Sequence, residues 1–290
     1  MKIAPVLFGL CCYILTTTCT FTASAQYYDS IVFVNSKWKI EKISNGIKLY
    51  SKHFNTKNLF RSNQYVSYIV VKKRVKNFAM AAEPAILKTV SDFANANDAI
   101  AAVNGNFFDT KNGGAVDYTK VNGQVININK GTDNKRLAFH QKAAVVIENG
   151  KPDILKWDGF ANWEDNLKQK DVMLNGPLLV YNKVSENLDS TSSFNLTRHP
   201  RTAFGITKRG KIIMLVADGR HINAQGFSLY ELTKIMRWLG CTKAINFDGG
   251  GSSTLWVEGK GVVNHPSDNA KWDNAGERKV ANILFLKKEK

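Results

Sequence analysis

Alternating apolar and polar residues dominate the N-terminal part of the chain. Residues 30–75 contain four such runs, SIVFVN, WKIEKI, GIKLYSKHF and QYVSYIVVKKRV, and Asn45-Gly46 separates the second run from the third. Alternation with a period of two residues indicates β-strands, and Asn-Gly favours a two-residue hairpin turn. The pattern therefore predicts four strands, at least two of them joined as a hairpin.

Two later segments follow the period of a helix instead. In residues 84–98 the apolar side chains of Ile86, Val90 and Phe93 fall on one side, and residues 228–240 have the same character and end on a glycine. Glycine is common just after the last turn of a helix. A short apolar run follows each segment, AIAAVNG after the first and TKAINF after the second, and each run ends in a polar loop. We expect two helices, each leading into a buried strand.

The remaining pattern is again that of strands. HQKAAVVIENGKPDIL contains a hairpin signal at Asn149-Gly150, and RTAFGITKRGKIIMLVADGR reads as two strands joined by KRG. The chain has no regular alternation of strands and helices. These features predict an α+β fold with mixed, strand-rich sheets, two principal helices and a site at the strand-end loops, where scaffolds usually carry their chemistry.

The first 25 residues have the pattern of a secretory signal peptide. Lys2 precedes an apolar stretch, and Ala23-Ser24-Ala25 is a small-residue motif that predicts cleavage before Gln26. The apolar stretch is too short for a stable membrane span. A lipoprotein anchored at Cys19 is less favoured because three threonines precede that cysteine. The sequence thus predicts a periplasmic or secreted protein.

Beyond the predicted signal peptide, we divide the chain into a β-rich segment at 26–80 and a larger domain at 81–290. Of the four cysteines in the sequence, only Cys241 would remain after cleavage, so no internal disulfide is expected. The formal net charge of the full chain is +16. Its lysines are spread along the sequence, and no strand interleaves them with aromatic residues, so we expect no nucleic-acid partner.

The stretch INFDGGGSSTLW, residues 245–256, raises the clearest chemical question. Three consecutive glycines cost backbone entropy on folding and need a reason. The stretch lacks the Lys-Ser/Thr of a phosphate-binding Walker loop and the G-x-S-x-G of a nucleophile elbow. Two interpretations stay open, a plain turn or a nest of backbone amides that binds an anion. The residues concerned are Gly249, Gly250, Gly251, Ser252 and Ser253.

A second polar loop, NGNFFD, follows the first helix and strand. Asn104, Asn106 and Asp109 bring amides and a carboxylate next to two aromatic residues, a combination that suits a hydroxyl-rich ligand. The alternative is that the two phenylalanines belong to the core and the polar groups stabilise a loop.

The two strands joined by KRG carry polar residues at their open ends. Arg201 and Thr202 begin the first strand, and Asp218 and Arg220 follow the second. Arginine beside a hydroxyl suits a phosphate or carboxylate. Because the ends of a hairpin are neighbours, we expect Arg201 and Asp218 to lie close together. The five histidines show no metal-binding spacing. No cofactor is expected, and the question of a divalent metal with oxygen ligands stays open.

The motifs AVNGNFFD, NGPLLV, RTAFGI, ADGR, ELTKIMRWLGCTKAINFDGGGSSTLW and GERKVANILFL together resemble the phosphodiester glycosidase family, over about residues 85–286. That resemblance implies an exported hydrolase that cleaves the glycosidic bond of a sugar-1-phosphodiester. Glycosidases usually use two carboxyl groups. The resemblance makes three aspartates the catalytic candidates: Asp248, Asp218 and Asp109. The candidate substrate-binding residues are Asn104, Asn106, Arg201, Thr202, Arg220, Gly249, Gly250, Gly251, Ser252, Ser253 and Arg278.

Three alternatives stay open at this point: a non-catalytic binding protein for cell-surface glycans or anionic polymers, a hydrolase of another phosphodiester, and an ordinary glycosidase. For any of them we expect NGNFFD, RTAFGI, ADGR and DGGGSS to converge on one cleft, because each motif lies at the end of a predicted strand.

Overall fold

The structure is a computed structural model that describes residues 28–130 and 137–288. The predicted signal peptide and its cleavage point before Gln26 lie outside the described residues. Within the described ranges, no helix is both long and apolar enough to cross a membrane.

The described residues form three antiparallel sheets. The largest has eight strands in the spatial order β1-β2-β3-β14-β13-β15-β11-β12. Its strands are β1 Lys39–Ser44, β2 Ile47–Leu59, β3 Ser62–Val71, β11 Leu178–Tyr181, β12 Val184–Ser185, β13 Arg201–Thr207, β14 Ile212–Ala217 and β15 Cys241–Asn246.

The other two sheets have five strands each, in the orders β7-β6-β10-β8-β9 and β17-β16-β5-β18-β4. The strands of the former are β6 Thr119–Val121, β7 Gln124–Asn127, β8 Ala143–Glu148, β9 Lys151–Lys156 and β10 Asp171–Leu174. Those of the latter are β4 Phe78–Ala82, β5 Ala99–Asn104, β16 Leu255–Val257, β17 Gly261–Val262 and β18 Asn282–Lys287.

Four helices accompany the sheets: α1 at 28–34, α2 Val90–Ala96, α3 Ser193–Leu196 and α4 Leu229–Trp238. The fold is therefore α+β, strand-rich with few helices, as the sequence predicts. The helix α4 matches its prediction closely: the Ser228 hydroxyl accepts a hydrogen bond from the Glu231 amide at its start, and Gly240 follows its last turn with a φ of +82°.

Two predictions about local structure are wrong. Residues 30–34 are helical rather than a strand. In this segment Phe33 is buried against Trp38 and Trp238, whereas Ile31 and Val34 are exposed. Residues 31–34 are all apolar, and such a short unbroken run is compatible with either a helix or a strand. Tertiary packing therefore determines the structure of this segment.

The helix predicted over 84–98 is shorter than expected. It begins after Thr89, whose hydroxyl accepts a hydrogen bond from the Asp92 amide in a capping box. Lys88 is bridged to Val280, next to β18, so the chain before Thr89 is extended, and Ile86 is exposed rather than buried. The capping box and this bridge fix the start of the helix.

The predicted hairpins are confirmed. β1 and β2 meet at Asn45-Gly46, β8 and β9 at Asn149-Gly150, and β13 pairs with β14 along its whole length. β3, which lies in the segment 26–80, pairs with β14 of the later chain, so the first strands share one sheet with the rest.

One apolar core joins the three sheets. It contains Phe204 and Ile245 from the eight-stranded sheet, Val145 from β8, and Val103 and Leu284 from β5 and β18. α4 packs on the other face of the eight-stranded sheet, and α2 packs against β5 and β18.

Strands from two of the sheets end at a common edge. Thr202 accepts a hydrogen bond from the Phe247 amide (2.9 Å), and Gly105, just past β5, accepts one from the Asp248 amide (3.0 Å). The loops after β5 and β15 and the start of β13 therefore meet, and this edge is called the site end below.

Candidate active site

The glycines at 249–251 lie in close contact with their surroundings. A Cβ atom on Gly249 would lie 2.7 Å from the Pro200 carbonyl oxygen, and one on Gly250, whose φ is +62°, would lie 2.9 Å from Arg220 Nη2. A Cβ on Gly251 would lie 2.6 Å from Arg278 Nη2. The glycine loop, residues 248–253, is thus a turn that two guanidinium groups approach closely.

Asp248 begins this loop and is only partly exposed. Burial raises the pKa of its carboxyl group to about 6, against the opposing influence of the Ser252 hydroxyl and the Gly249 amide. The Gly249 N–H donates to Asp248 Oδ1 at 2.9 Å. Arg278 favours the ionised form and Asp117 disfavours it. Asp248 is therefore a carboxylate whose protonation changes near neutral pH, a property typical of catalytic acids and bases.

Buried amides hold the backbone beneath Asp248. Asn104 Nδ2 donates to the Asp248 carbonyl oxygen (2.7 Å), and Asn104 Oδ1 accepts from the Thr202 hydroxyl (2.7 Å) and the Thr254 amide (3.2 Å). Asn104 and Thr202 are both fully buried. Their polar groups are used within the protein, so they position the loop from below.

Asn106 occupies a similar buried position. Its Nδ2 donates to the Thr119 hydroxyl (3.0 Å) and the Leu174 carbonyl (3.2 Å), and its Oδ1 accepts from Asn282 Nδ2 (2.6 Å). These contacts tie the loop after β5 to β6, β10 and β18. The Asn106 side chain thus connects two sheets.

Asp218 is completely enclosed and bound to His265. Its carboxylate accepts from Asn264 Nδ2 (2.8 Å) and the His265 amide (3.0 Å), and His265 Nδ1 lies 2.8 Å away. Asn264 Nδ2 also donates to the carbonyl of Ser253 (3.0 Å), which connects this pair to the glycine loop. Burial raises the pKa of Asp218. The Trp272 ring is stacked on His265 at 3.9 Å and fixes its plane.

A second Asp–His pair carries no sequence motif and was missed by the sequence analysis. His140 Nδ1 lies 2.8 Å from both carboxylate oxygens of Asp117, and Gln141 Nε2 donates to Asp117 Oδ1 at 3.1 Å. Burial raises the pKa of Asp117, whereas His140 lowers it. Asp117 is near enough to Asp248 for charge repulsion to raise the pKa of Asp248. No local spacing indicates the pair, because its two residues come from separate loops.

Arg201 is deeply buried, with 1% of its surface exposed. Its Nε donates to the Phe227 carbonyl (3.0 Å), and its Nη2 donates to the carbonyls of Phe194 (2.7 Å) and Thr197 (3.0 Å). Arg201 therefore secures the backbone around α3. It stands opposite Ala217 in the β13–β14 hairpin. Among the described residues, no hydrogen bond or ion pair joins its side chain to Asp218.

Arg220 and Arg278 are the more accessible arginines of the site end. Arg220 has a φ of +62° and an exposed side chain that reaches Gly250. Arg278 Nε donates to Asp268 Oδ1 at 2.8 Å beside Gly251. The exposed Arg220 guanidinium can bind phosphate oxygens in fork geometry, whereas the Arg278 fork is paired with Asp268 and would have to exchange that partner for a phosphate.

Asp109 has a different environment. Its carboxylate accepts from the amides of Lys111 (2.9 Å) and Asn112 (3.0 Å) and from Asn112 Nδ2 (2.9 Å), and these hydrogen bonds lower its pKa to about 2. In the part of the chain that the structure describes, no hydrogen bond or ion pair joins Asp109 to the glycine loop. The carboxylate stabilises its own loop.

No group of three or more His, Cys, Asp or Glu side chains suited to a metal ion occurs within residues 28–130 and 137–288.

Comparison with known proteins places these residues in context. The family model described as phosphodiester glycosidase matches residues 97–287. The mouse N-acetylglucosamine-1-phosphodiester alpha-N-acetylglucosaminidase is 24% identical over 209 residues, which cover 68% of this chain but 39% of the mouse protein. The human protein of the same name is 24% identical over 217 residues. The chain thus corresponds to well under two thirds of the length of these relatives.

Solved structures share the fold. The catalytic domain of the zebrafish N-acetylglucosamine-1-phosphodiester alpha-N-acetylglucosaminidase, auto-inhibited by its pro-peptide, superimposes with a TM-score of 0.64 at 17% identity, covering 87% of this chain and 88% of that one. A hypothetical protein from Synechocystis superimposes with a TM-score of 0.62 at 14% identity, covering 87% of this chain and 64% of that one.

Proposed function

The chain belongs to the phosphodiester glycosidase family, and on that premise we propose that it is an exported hydrolase which cleaves the C1–O bond of a sugar-1-phosphodiester. The observation that carries the proposal is Asp248, a carboxylate with a pKa of about 6 at the start of a glycine loop that Arg220 and Arg278 approach. A carboxylate can act as nucleophile or base at the anomeric carbon, and guanidinium groups can donate hydrogen bonds to the phosphate.

In the proposed reaction the electrons of the C1–O bond leave with the phosphate oxygen, and water supplies the new hydroxyl group at C1. Asp248 acts in its ionised form, as nucleophile at C1 or as the base that takes the proton from water. A phosphate monoester is a weak base, so its departure needs little help from an acid. Arg220 and Arg278 stabilise the negative charge that develops on the leaving phosphate.

The remaining residues of the candidate site take supporting roles in this proposal. Asp218 orients His265, and Asp117 orients His140, in the manner of a carboxylate that fixes an imidazole in catalytic sites. Asn104, Thr202 and Arg201 hold the loops from below. Asp109, whose hydrogen bonds are local, is the weakest of the three catalytic candidates.

Export of the protein and its division into segments 26–80 and 81–290 remain proposals. Export is supported by the signal-like pattern of residues 1–25. The mass of the exported protein should correspond to a chain that starts at Gln26, and a cytoplasmic chain that retains Met1 would contradict export.

The decisive test uses N-acetylglucosamine linked through C1 to nitrophenyl phosphate, since the mouse and human relatives are named for this sugar. Cleavage of C1–O releases the sugar and nitrophenyl phosphate, whereas cleavage of the P–O bond to the nitrophenyl group releases sugar-1-phosphate and nitrophenol. Cleavage of the P–O bond to the sugar gives the same products as C1–O cleavage, but the oxygen from water then enters the phosphate. Water labelled with heavy oxygen should place the label on the sugar. Label on phosphate would show a different phosphodiesterase, and binding without turnover would show a glycan-binding protein.

The matched control substrate is the nitrophenyl glycoside of the same sugar, which lacks the phosphate. Arg220→Gln and Arg278→Gln should each lower kcat/KM for the phosphodiester by about tenfold, the value of one charge-assisted hydrogen bond. Because the glycoside has no phosphate, its kcat/KM should not respond to either change. Faster turnover of the glycoside than of the phosphodiester would indicate an ordinary glycosidase.

A further inference from the structure

The end of the eight-stranded sheet opposite the site end carries a concentration of positive charge. The loop after β3, the β13–β14 turn and the β8–β9 turn meet there: the Phe78 amide donates to the Gly150 carbonyl (3.2 Å), and a Cβ on Gly210 would touch Lys73. These loops expose eight cationic side chains, which we call the basic end: Lys72, Lys73, Arg74, Lys76, Lys151, Lys208, Arg209 and Lys211.

The positive charge of the basic end is largely uncompensated. Among the described residues, none of these eight side chains forms an ion pair. Two acidic residues are nearby. Asp153 is paired with Lys243 at 2.6 Å, and Glu148, opposite Lys151 in the hairpin, accepts from the Lys170 amide at 3.4 Å. Packing eight like charges together disfavours the folded state. The cluster therefore forms a positively charged surface that attracts anionic partners.

The basic end also has a concave shape. A groove of about 570 Å³ runs between these loops. Apolar side chains contribute to its lining: Val75, Pro152, Ile206 and Ile212. Four cations border it, Lys73, Arg74, Lys76 and Lys151, and its one acidic lining residue, Asp153, is paired with Lys243. An aliphatic floor with a cationic border fits a chain whose carbon skeleton contacts protein while its anionic groups face the lysines.

We propose that the basic end is a docking site for a linear acidic polysaccharide. The lining of the groove contains no aromatic side chain on which nucleic-acid bases would stack. None of the exposed large apolar side chains of the described chain lies in these loops, so the surface lacks the anchors with which peripheral proteins enter a bilayer. A groove also suits a single polymer chain better than a flat membrane.

Docking at the basic end leaves the site end free. β13 begins at Arg201 in the site end and finishes at Thr207 beside the basic end. At about 3.3 Å per residue the two ends are about 20 Å apart along the strand. A bound polymer therefore holds the protein on an acidic surface without covering Asp248. Docking of a polysaccharide at the basic end does not require the proposed hydrolase activity.

The test measures binding of the full chain to fluorescent dextran sulfate, with uncharged dextran of the same length as the control polymer. The protein should bind the sulfated chain alone, and affinity should fall steeply as salt rises from about 50 to about 200 mM. Replacing Lys73, Lys76 and Lys151 together by Gln should weaken binding by at least about tenfold.

The matched control replaces Lys37, Lys57 and Lys168 by Gln, three exposed lysines outside these loops, so the net charge changes equally. This variant should bind within about threefold of the unchanged protein. Thermal unfolding of both variants verifies that they are folded. Equal losses in the two variants, or no binding at low salt, would overturn the proposal. So would tighter binding, per anionic group, to duplex DNA or to phosphatidylglycerol vesicles.

Discussion

The strands β5 and β15 both end on a buried asparagine, Asn104 and Asn246, and the loop after each strand contains an aspartate. The two aspartates, Asp109 and Asp248, have opposite environments. Asp109 is held by two amides and a side chain of its own loop, and its pKa is about 2. Asp248 is half-buried, accepts one backbone amide hydrogen bond and has the Ser252 hydroxyl beside it, and burial raises its pKa to about 6.

The contrast indicates which of the two strand-end carboxylates can react with a substrate. A carboxylate that local donors already satisfy is stable as an anion and has little reason to react. A half-buried carboxylate with few hydrogen-bond donors can still take up a proton or interact with a substrate. The contrast therefore favours Asp248 over Asp109 as the catalytic carboxylate of the proposed reaction.

The largest expected effect separates these two aspartates directly. Asp248→Asn should lower kcat by about a hundredfold or more, because the amide keeps the shape but removes the negative charge. Asp109→Asn should leave kcat within about threefold, since an amide oxygen can still accept the loop hydrogen bonds. Both variants are compared at matched fractions of folded protein. Near-native kcat in folded Asp248→Asn would move the catalytic role to Asp218 or Asp109.

The sequence predicted most of the strands, hairpins and helices that carry these two loops. The hairpins at Asn45-Gly46 and Asn149-Gly150, the buried strands β5 and β15 and the helix α4 all follow from period and turn chemistry, which are local properties. The helix at 28–34 does not follow, because its one buried residue, Phe33, packs on the aromatic rings of Phe54 and Trp238, which are distant in the sequence.

The site was only partly predictable for the same reason. Glycine runs and strand-end aspartates are visible in the sequence, so Asp248 and Asp218 could be named. The Asp117–His140 pair could not, because it is made by two loops with no characteristic spacing. Arg201 could be named, but its burial under three carbonyl oxygens depends on how α3 folds over β13.

An intermediate effect distinguishes the glycines of the two loops. A Cβ on Gly251 would displace Arg278 and Asp268, which are flexible side chains, whereas a Cβ on Gly113, at a φ of +76°, would lie 1.7 Å from the Ala85 carbonyl oxygen. Gly251→Ala should therefore raise KM by about tenfold with little change in melting temperature. Gly113→Ala should lower the melting temperature by about 5 °C and leave KM unchanged.

Steady-state kinetics and thermal unfolding on both glycine variants check this prediction. A KM that stays constant in Gly251→Ala would show that the Arg278 guanidinium does not contact the substrate. A large loss of stability in that variant would show that the glycine loop is structural in the same sense as the loop after β5.

The smallest effect is the pH dependence of stability, which has opposite signs for the two aspartates. The pKa of Asp248 rises on folding from 3.8 to about 6, so its charge opposes folding above about pH 6, and this cost disappears as the pH falls below 3.8. The pKa of Asp109 falls from 3.8 to about 2, so its charge favours folding above 3.8, and this gain is lost as the pH falls through about 2.

The effect of Asp248→Asn on the melting temperature should therefore depend on pH in this range. At about pH 8 Asp248→Asn should melt a few degrees above the unchanged protein, and the difference should vanish near about pH 4. Asp109→Asn should melt below the unchanged protein at both pH values, because its loop hydrogen bonds are weakened wherever the carboxylate is ionised. If Asp248→Asn were less stable at about pH 8, the carboxylate would be satisfied in the folded protein, and the contrast between the two loops would fail.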